Sequence, residues 1–278
     1  MKHLYRNRLT SNGVFFAALP SIKKCIRCAV LPFLLVHLMY ASFAQTTDSV
    51  KVISHFSGTV SATNNGISIV PSFSLEKPAA IFMLSMGRKR FSFDPDLRFS
   101  LAGKPWTFLF WARYKLVDKG RFRMNTGTHL GLNYKTSILP INGDTGETTV
   151  TRRYLAGELF PRYSITKNIS VGIYYLYSHG LDAGTIGNTH FITFNTNFSN
   201  IKLTNQFFLK FNPQFYYLKL DERDGFYFTA SCTLARKNFP LFISAIVNKI
   251  IETDIAGGDF VWNLSLVYSF HKNYVDSK

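Results

Sequence analysis

The chain has 278 residues, of which 27 are Phe and 14 are Tyr, and its formal net charge is +16. Its basic residues are spread along the chain instead of forming a run or a helical stripe, which argues against a nucleic-acid partner. After residue 44 no stretch approaches the roughly 20 consecutive apolar residues of a membrane helix, so a membrane-spanning structure would have to be a closed barrel.

Residues 1–44 have the three parts of a secretory signal peptide. Basic residues precede the apolar run from Ala29 to Tyr40, and small residues follow at Ser42 and Ala44. Six basic and no acidic residues lie in this segment, so its removal lowers the net charge to +10. We therefore expect export and a mature chain that begins at Gln45. Cys232 is then the one cysteine left, which excludes an intrachain disulfide.

The remainder of the chain alternates predicted strands with polar connections. Residues 45–54 are a short polar segment that we expect in the periplasm, and the barrel is predicted over 55–270. The stretch from His55 to Leu75 has two interpretations: a hairpin around Asn64-Asn65-Gly66, or one bulged strand. The later strands are predicted at Ala79 to Met86, Arg90 to Leu101, Trp106 to Val117, Arg121 to Lys135, Thr149 to Ile165, Ile169 to Tyr177, Thr189 to Phe198, Lys202 to Lys219, Phe226 to Ala235, Leu241 to Ile250 and Asp259 to Phe270.

Long and short connections alternate from Thr136 onward. Thr136 to Thr148 and the glycine-rich Ser178 to Asn188 are predicted outer loops, whereas Lys167-Asn168 and Ser199-Asn200 are predicted inner turns. A barrel of this type has an even number of strands, which favours a single strand over His55 to Leu75. The prediction is an all-β fold: a transmembrane antiparallel up-and-down β-barrel of about twelve strands, within a range of ten to fourteen.

The last predicted strand carries the clearest membrane signature. From Asp259 to Phe270, large apolar residues alternate with small polar ones, and aromatic residues stand at both ends of the apolar face. This strand resembles the closing strand of Gram-negative outer-membrane β-barrel proteins, which commonly ends in an aromatic residue such as Phe270. Residues 271–278 are predicted to be a tail beyond it.

The resemblance to outer-membrane β-barrel proteins covers roughly Phe56 to Phe270. It implies export by the signal peptide, insertion by the barrel-assembly machinery and a location in the outer membrane of a Gram-negative bacterium, in contact with outer-membrane lipid. It implies no particular substrate. No cofactor is expected, and the scattered histidines have no spacing typical of a metal site.

The polar faces of the strands predict a lumen with more basic than acidic residues. Such a lumen favours small anionic solutes, as in a narrow porin-like pore. The alternative is that acidic and basic side chains pair and fill the lumen, which would make a structural or binding barrel that does not conduct. The candidate lumen residues are Asp94, Asp96, Arg98, Arg113, Lys115, Arg121, Arg123, His129, Arg152, Glu158, Arg162 and Lys210.

A second alternative is a lipid-modifying hydrolase of the outer membrane. Ser178, His179, Asp182 and His190 flank one glycine-rich loop and include the residue types of a serine nucleophile, its base and an orienting acid. Their spacing is loosely similar to the His and Ser pairs of outer-membrane lipid A deacylases and phospholipases. The non-enzymatic interpretation of the same residues is a solvated loop beside an aromatic belt.

Overall fold

The structure, a computed structural model, describes residues 53–68, 70–141 and 144–275. Twelve antiparallel strands, each hydrogen-bonded to its neighbours in sequence, close into one barrel through pairing of the first strand with the last. The predicted signal peptide lies outside the described residues. The strands are β1 (Ile53–Thr63), β2 (Ala79–Arg88), β3 (Phe91–Ser100), β4 (Pro105–Lys119), β5 (Phe122–Ile141), β6 (Asp144–Ser164), β7 (Ile169–Gly180), β8 (Asn188–Lys202), β9 (Phe207–Leu220), β10 (Arg223–Arg236), β11 (Leu241–Thr253) and β12 (Phe260–Val275).

The predicted all-β up-and-down barrel of twelve strands is therefore confirmed. In the described part of the chain, no helix is long and apolar enough to cross a membrane. Both described ends of the chain, Ile53 and Val275, pair at the same end of the barrel. We call this the inner end and the opposite one the outer end.

Alternation along each strand gives the barrel two different surfaces. On β12, Leu264 is 50% exposed while its neighbour Asn263 is 5% exposed. The same contrast on β8 separates the exposed Phe194 from the buried Thr193. Large apolar side chains thus cover the outside, where a bilayer would solvate them, and polar side chains turn into the lumen.

The closing strand is longer than its sequence pattern indicates. β12 continues through His271 to Val275, and Val275 pairs with Ile53 of β1. The predicted end of the barrel at Phe270 is therefore corrected to Val275, and its start moves into the predicted polar segment. Residues 276–278 are outside the described chain.

The predicted outer loop from Thr136 to Thr148 is wrong, because β5 and β6 continue through it as one long hairpin. Their pairing runs from Phe122↔Tyr163 to Ile141↔Asp144. That leaves the dipeptide at 142–143, which the structure does not describe, as the connection. Pro140, Gly143 and Gly146 favour a loop in sequence, whereas the Asn-Gly dipeptide at 142–143 is typical of a tight hairpin.

The predicted inner turn at Ser199-Asn200 is also wrong. The register between β8 and β9 shifts between Phe198 and Ile201, and Asn200 has a positive φ of 56°. A bulge therefore takes the place of the turn. The chain reverses at residues 203–206, where the Leu203 and Thr204 N–H groups donate to the carbonyl of Phe207.

The single strand predicted over His55 to Leu75 is wrong in its second half. β1 ends at Thr63, and the described residues 64–68 and 70–78, which we call the inward loop, fold over the lumen at the outer end. The indole Nε1 of Trp106 donates to the Phe73 carbonyl at 2.7 Å, and the Phe73 ring lies 5.1 Å from the ring of the buried Tyr154. The strand count stays at twelve because the described residues of this loop form no further strand.

Candidate functional site

Four lumen side chains from four strands form an ion-paired cluster, which we call the clamp. Arg113 on β4 donates through Nε to Glu158 Oε1 at 2.6 Å and through Nη1 to Asp94 Oδ2 at 3.0 Å. The Tyr174 hydroxyl donates to the second oxygen of Glu158 at 2.8 Å. One guanidinium thus bridges two carboxylates, and each of the four side chains has a hydrogen-bond partner.

The clamp is extended towards the first two strands by hydroxyl and imidazole groups. Ser85 Oγ donates to Asp94 Oδ1 at 2.6 Å, and His55 Nε2 lies 3.1 Å from the same hydroxyl. Ser92 Oγ donates to the other oxygen of Asp94 at 3.0 Å. The connected polar chain therefore runs from β1 through β2, β3, β4 and β6 to β7, about half of the barrel wall.

Two further candidate residues are paired within one strand. Arg98 donates to both oxygens of Asp96, at 2.9 and 2.6 Å, and its guanidinium lies 5.4 Å from the centre of the Trp106 ring. His129 is buried, with its ring 4.1 Å from that of Trp111. Six of the predicted lumen residues are thus brought together on one side of the lumen: Asp94, Asp96, Arg98, Arg113, His129 and Glu158.

The lumen beside the clamp is filled by large side chains, and we call this part the filled side. Tyr216 and Tyr227 stack with ring centres 4.7 Å apart, and the Tyr216 hydroxyl donates to Asn248 Oδ1 at 3.0 Å. Val70 of the inward loop packs against the same group. The buried members of the filled side are Phe191, Tyr216, Leu218, Leu220, Tyr227 and Ile255.

The wall around the barrel seam, in contrast, carries small side chains, and we call it the open side. Cross-strand partners share a face, so the lumen face of β1 continues onto β2 and β12 through pairs such as Ser57↔Ser85 and Thr63↔Ser265. Met83 pairs with the lumen residue Asp96 and yet is 45% exposed. Solvent therefore reaches the lumen at Met83, while Ser61, Thr63 and Val267 of the same wall are buried. The small residues of the open side are Ser57, Thr59, Ser61, Ser85, Ser244, Ser265 and Ser269.

The other predicted lumen residues lie near the two ends. At the inner end, Lys115 and Lys210 are exposed, Arg162 lies 5.6 Å above the Phe160 ring, and Arg123 pairs with Asp118 at 3.2 Å. Arg121 stands in the turn between β4 and β5, beyond the strands, so its lumen assignment is corrected. Arg152 lies at the outer end.

The outer end holds a cavity of about 310 Å³ whose wall is rich in basic groups. Lys135, Arg152 and Arg223 line it, together with Tyr154 and the carboxylate residue Asp221. Asp221 is already engaged, since its carboxylate accepts hydrogen bonds from the backbone N–H groups of Gly187 and Asn188. Among the described side chains, no carboxylate lies within 4.0 Å of these three basic groups.

A second cavity of about 720 Å³ lies between the inward loop and the β3–β4 turn. Its wall includes Lys77, Trp106 and Tyr134 as well as Lys104, which pairs with Glu147 at 2.9 Å. The sequence did not identify Trp106 and Arg223 as residues that line the cavities at the outer end, which we call the mouth. Trp106 stands at the start of a strand, and Arg223 follows a two-residue turn, so neither carries a periodic signal.

The residues proposed for a hydrolase are not brought together. Ser178 pairs with Ala156 and shares the lumen face, whereas His179 and His190 lie on the outer face. His190 Nδ1 lies 2.9 Å from the Tyr175 hydroxyl, and His179 Nδ1 lies 3.3 Å from Asn188 Oδ1. Asp182 binds Arg153 at 2.6 Å, and that contact holds the pKa of the Asp182 carboxyl below its ordinary value. The geometry of a serine–histidine pair is therefore absent here.

No cluster of three or more His, Cys, Asp or Glu side chains able to hold a metal ion occurs among the described residues.

The barrel is similar in architecture to solved outer-membrane channels. A KdgM porin matches with a TM-score of 0.48 and 12% identity over 77% of this chain and 99% of the porin. The NanC porin matches with a TM-score of 0.46 and 12% identity over 79% of this chain and 100% of the porin. An outer-membrane channel from Pseudomonas putida F1 matches with a TM-score of 0.44 and 8% identity over 83% of this chain and 98% of the channel. No protein-family profile and no curated protein sequence matches the chain. At TM-scores below 0.5, none of these similarities indicates a solute.

Proposed function

We propose that this chain is an outer-membrane β-barrel protein that forms a narrow aqueous path favouring small anionic solutes. The observation that carries the proposal is the outer cavity, where Lys135, Arg152 and Arg223 face the mouth while the nearby Asp221 is held by backbone N–H groups. Rings of basic side chains attract anions and repel cations in barrel pores.

The path enters at the outer cavity, whose wall includes Leu220 and Ile255 of the filled side, and continues along the open side of the lumen. The clamp and the filled side occupy the opposite part, so the free cross-section is smaller than that of an empty twelve-stranded barrel. Barrels of about eight strands are filled by their own side chains and those of 16 to 18 leave a channel, so twelve strands leave an intermediate space. The inward loop narrows this space further at the outer end.

The proposal predicts an anion preference that depends on the basic residues of the mouth. The protein, refolded into a planar bilayer with a salt gradient, should give a reversal potential on the anion side. The double substitution Arg152→Glu and Arg223→Glu should move it towards the cation side, because it replaces two cationic groups by carboxylates at the entrance. Lys219→Glu with Lys272→Glu is the matched control, since both lysines lie on the outside of the barrel wall and neither pairs with a carboxylate among the described side chains.

The control should leave the reversal potential unchanged. A wild-type protein that conducts with cation preference, or a mouth variant with the wild-type reversal potential, would remove the basic mouth as the source of selectivity. Heat modifiability on a cold gel confirms that each variant is folded.

A second candidate function is a barrel that does not conduct. The clamp favours it, because Arg98 and Arg113 are bound by carboxylates and are not available to a passing anion. A correctly folded protein that remains electrically silent would select this candidate. Such a barrel would act through binding at its outer mouth or through its contribution to the membrane.

A further inference from the structure

The two ends of the barrel differ sharply in charge. Near the inner end the described carboxylates are Asp118, which pairs with Arg123, and Asp94, which Arg113 binds in the clamp. At the outer end carboxylates are numerous and several bind basic partners, as in Arg153–Asp182, Lys104–Glu147 and Lys249–Asp259. The excess positive charge of the barrel is therefore gathered at the inner end.

This charge is distributed around the whole circumference. Each of the five connections at the inner end carries an exposed Lys or Arg within it or at its edge: Arg90, Arg121, Lys167, Lys202 and Lys237. Lys272 on β12 adds an exposed cation at the seam. We call these six residues the cationic ring. None of them pairs with a carboxylate among the described side chains.

An exposed aromatic residue accompanies each of the five connections. Phe91, Phe122, Tyr163, Phe207 and Phe239 all lie within five residues of their cation and are exposed. Phe91 and Phe122 are the first residues of β3 and β5, and Tyr163 is next to the last residue of β6. Aromatic side chains at the ends of barrel strands lie at the boundary between hydrocarbon and lipid headgroups. The cations, which stand at or beyond these strand ends, therefore reach the headgroup level.

We propose that the cationic ring binds the phosphate groups of anionic phospholipids in the leaflet around the inner end of the barrel. A ring that covers all sides of a cylinder fits a lipid leaflet, which surrounds the barrel, better than a protein partner, which would contact one side. Lys and Arg near a membrane surface attract anionic lipid, and their long apolar stems can lie along the barrel while the charged groups reach the phosphates. This site is separate from the lumen, so it does not depend on conduction.

The inference is tested on the full protein reconstituted in phosphatidylcholine vesicles with a trace of spin-labelled lipid. Electron spin resonance separates the motionally restricted lipid at the barrel surface from the bulk lipid. Spin-labelled phosphatidylglycerol should be enriched at the surface by about threefold over spin-labelled phosphatidylcholine, because each inner connection holds a cation at the headgroup level. Raising the salt to about 1 M should remove the enrichment, since the screening length falls to about 3 Å.

Substitution of residues in the cationic ring is the second test of the inference. A variant with Arg90, Arg121, Lys167, Lys202 and Lys237 changed to Gln should lose the phosphatidylglycerol enrichment. The matched control changes five basic residues at the outer end, Lys77, Lys104, Lys135, Arg152 and Lys219, to Gln and should keep it. Adding inorganic phosphate at constant ionic strength should leave the enrichment unchanged, because a free anion lacks the lipid anchoring that concentrates the headgroups at the ring.

Equal enrichment of the two spin-labelled lipids at the wild-type surface would overturn the inference. So would a ring variant that retains the enrichment, or displacement of the lipid by inorganic phosphate, which would make the ring a site for free anions. The salt dependence uses the unmodified protein, so the inference stays falsifiable if the ring variant does not fold. The reversal potential of the same preparation tests the proposed pore independently.

Discussion

The filled side and the open side of the lumen have the same strand geometry but differ in how far their lumen side chains are exposed to solvent. Tyr216, Leu218 and Tyr227 on the filled side are almost completely buried, whereas Met83 on the open side faces the same interior and is 45% exposed. Alternation alone assigns all of these residues to the lumen. Large lumen side chains pack against one another and exclude water, whereas small ones leave space for it. The clamp lies between the filled side and the open side.

The clamp should contribute more to stability than any residue of the open side. Glu158→Ala would leave the Arg113 guanidinium and the Tyr174 hydroxyl without their carboxylate in a largely enclosed site. Breaking a buried ion pair by removing one partner costs about 3 to 5 kcal/mol. Urea-induced unfolding in detergent or lipid should show this loss of unfolding free energy. Ser265→Ala, on the open side, should change it by about 0.5 kcal/mol or less. Equal losses would show that the clamp has no special role.

The outer surface should tolerate charge far less than the open side of the lumen. Leu264→Arg places a guanidinium among lipid chains and should cost about 2 to 4 kcal/mol if the residue lies near the bilayer midplane. Its neighbour Ser265 faces the lumen, so Ser265→Arg should be much milder. The fraction of protein that inserts into vesicles measures both variants. Similar insertion of the two would contradict the lumen assignment of β12.

Water access should differ between the two sides without a large change in stability. In a Cys232→Ser background, Met83→Cys should react with a water-soluble maleimide in the folded barrel. Leu218→Cys should react only after unfolding, because Leu218 is completely buried. Mass spectrometry of the labelled protein gives the extent of reaction. Rapid labelling at both positions would mean that the filled side is hydrated.

The sequence predicted the fold well because a period of two persists along almost every strand. The number of strands, the lumen face of β12 and the inward direction of Asp94, Arg113 and Glu158 all follow from that period. It also predicted that acidic and basic residues would share the lumen. It could not predict which of them pair, because Arg113 and Glu158 are 45 positions apart and meet through the register of three strands.

The errors have local physical causes. The inward loop has no period, and its position depends on long-range contacts such as that between Trp106 and Phe73. The bulge at Asn200 imitates a turn in sequence, since asparagine readily adopts a positive φ in both settings. Ser178 and the two histidines are close in sequence, which alone suggests a shared site. Alternation places the serine and the histidines on opposite faces of the wall.

The conductance of the refolded protein in a planar bilayer tests most directly whether the open side is an aqueous path. The wild-type barrel should show a small ohmic conductance. Ser265→Trp should reduce it strongly by placing an indole in the open side, while Leu264→Trp, on the lipid face of the same strand, should leave it unchanged. Electrical silence of a correctly folded wild-type barrel, or equal conductance of all three proteins, would contradict the account.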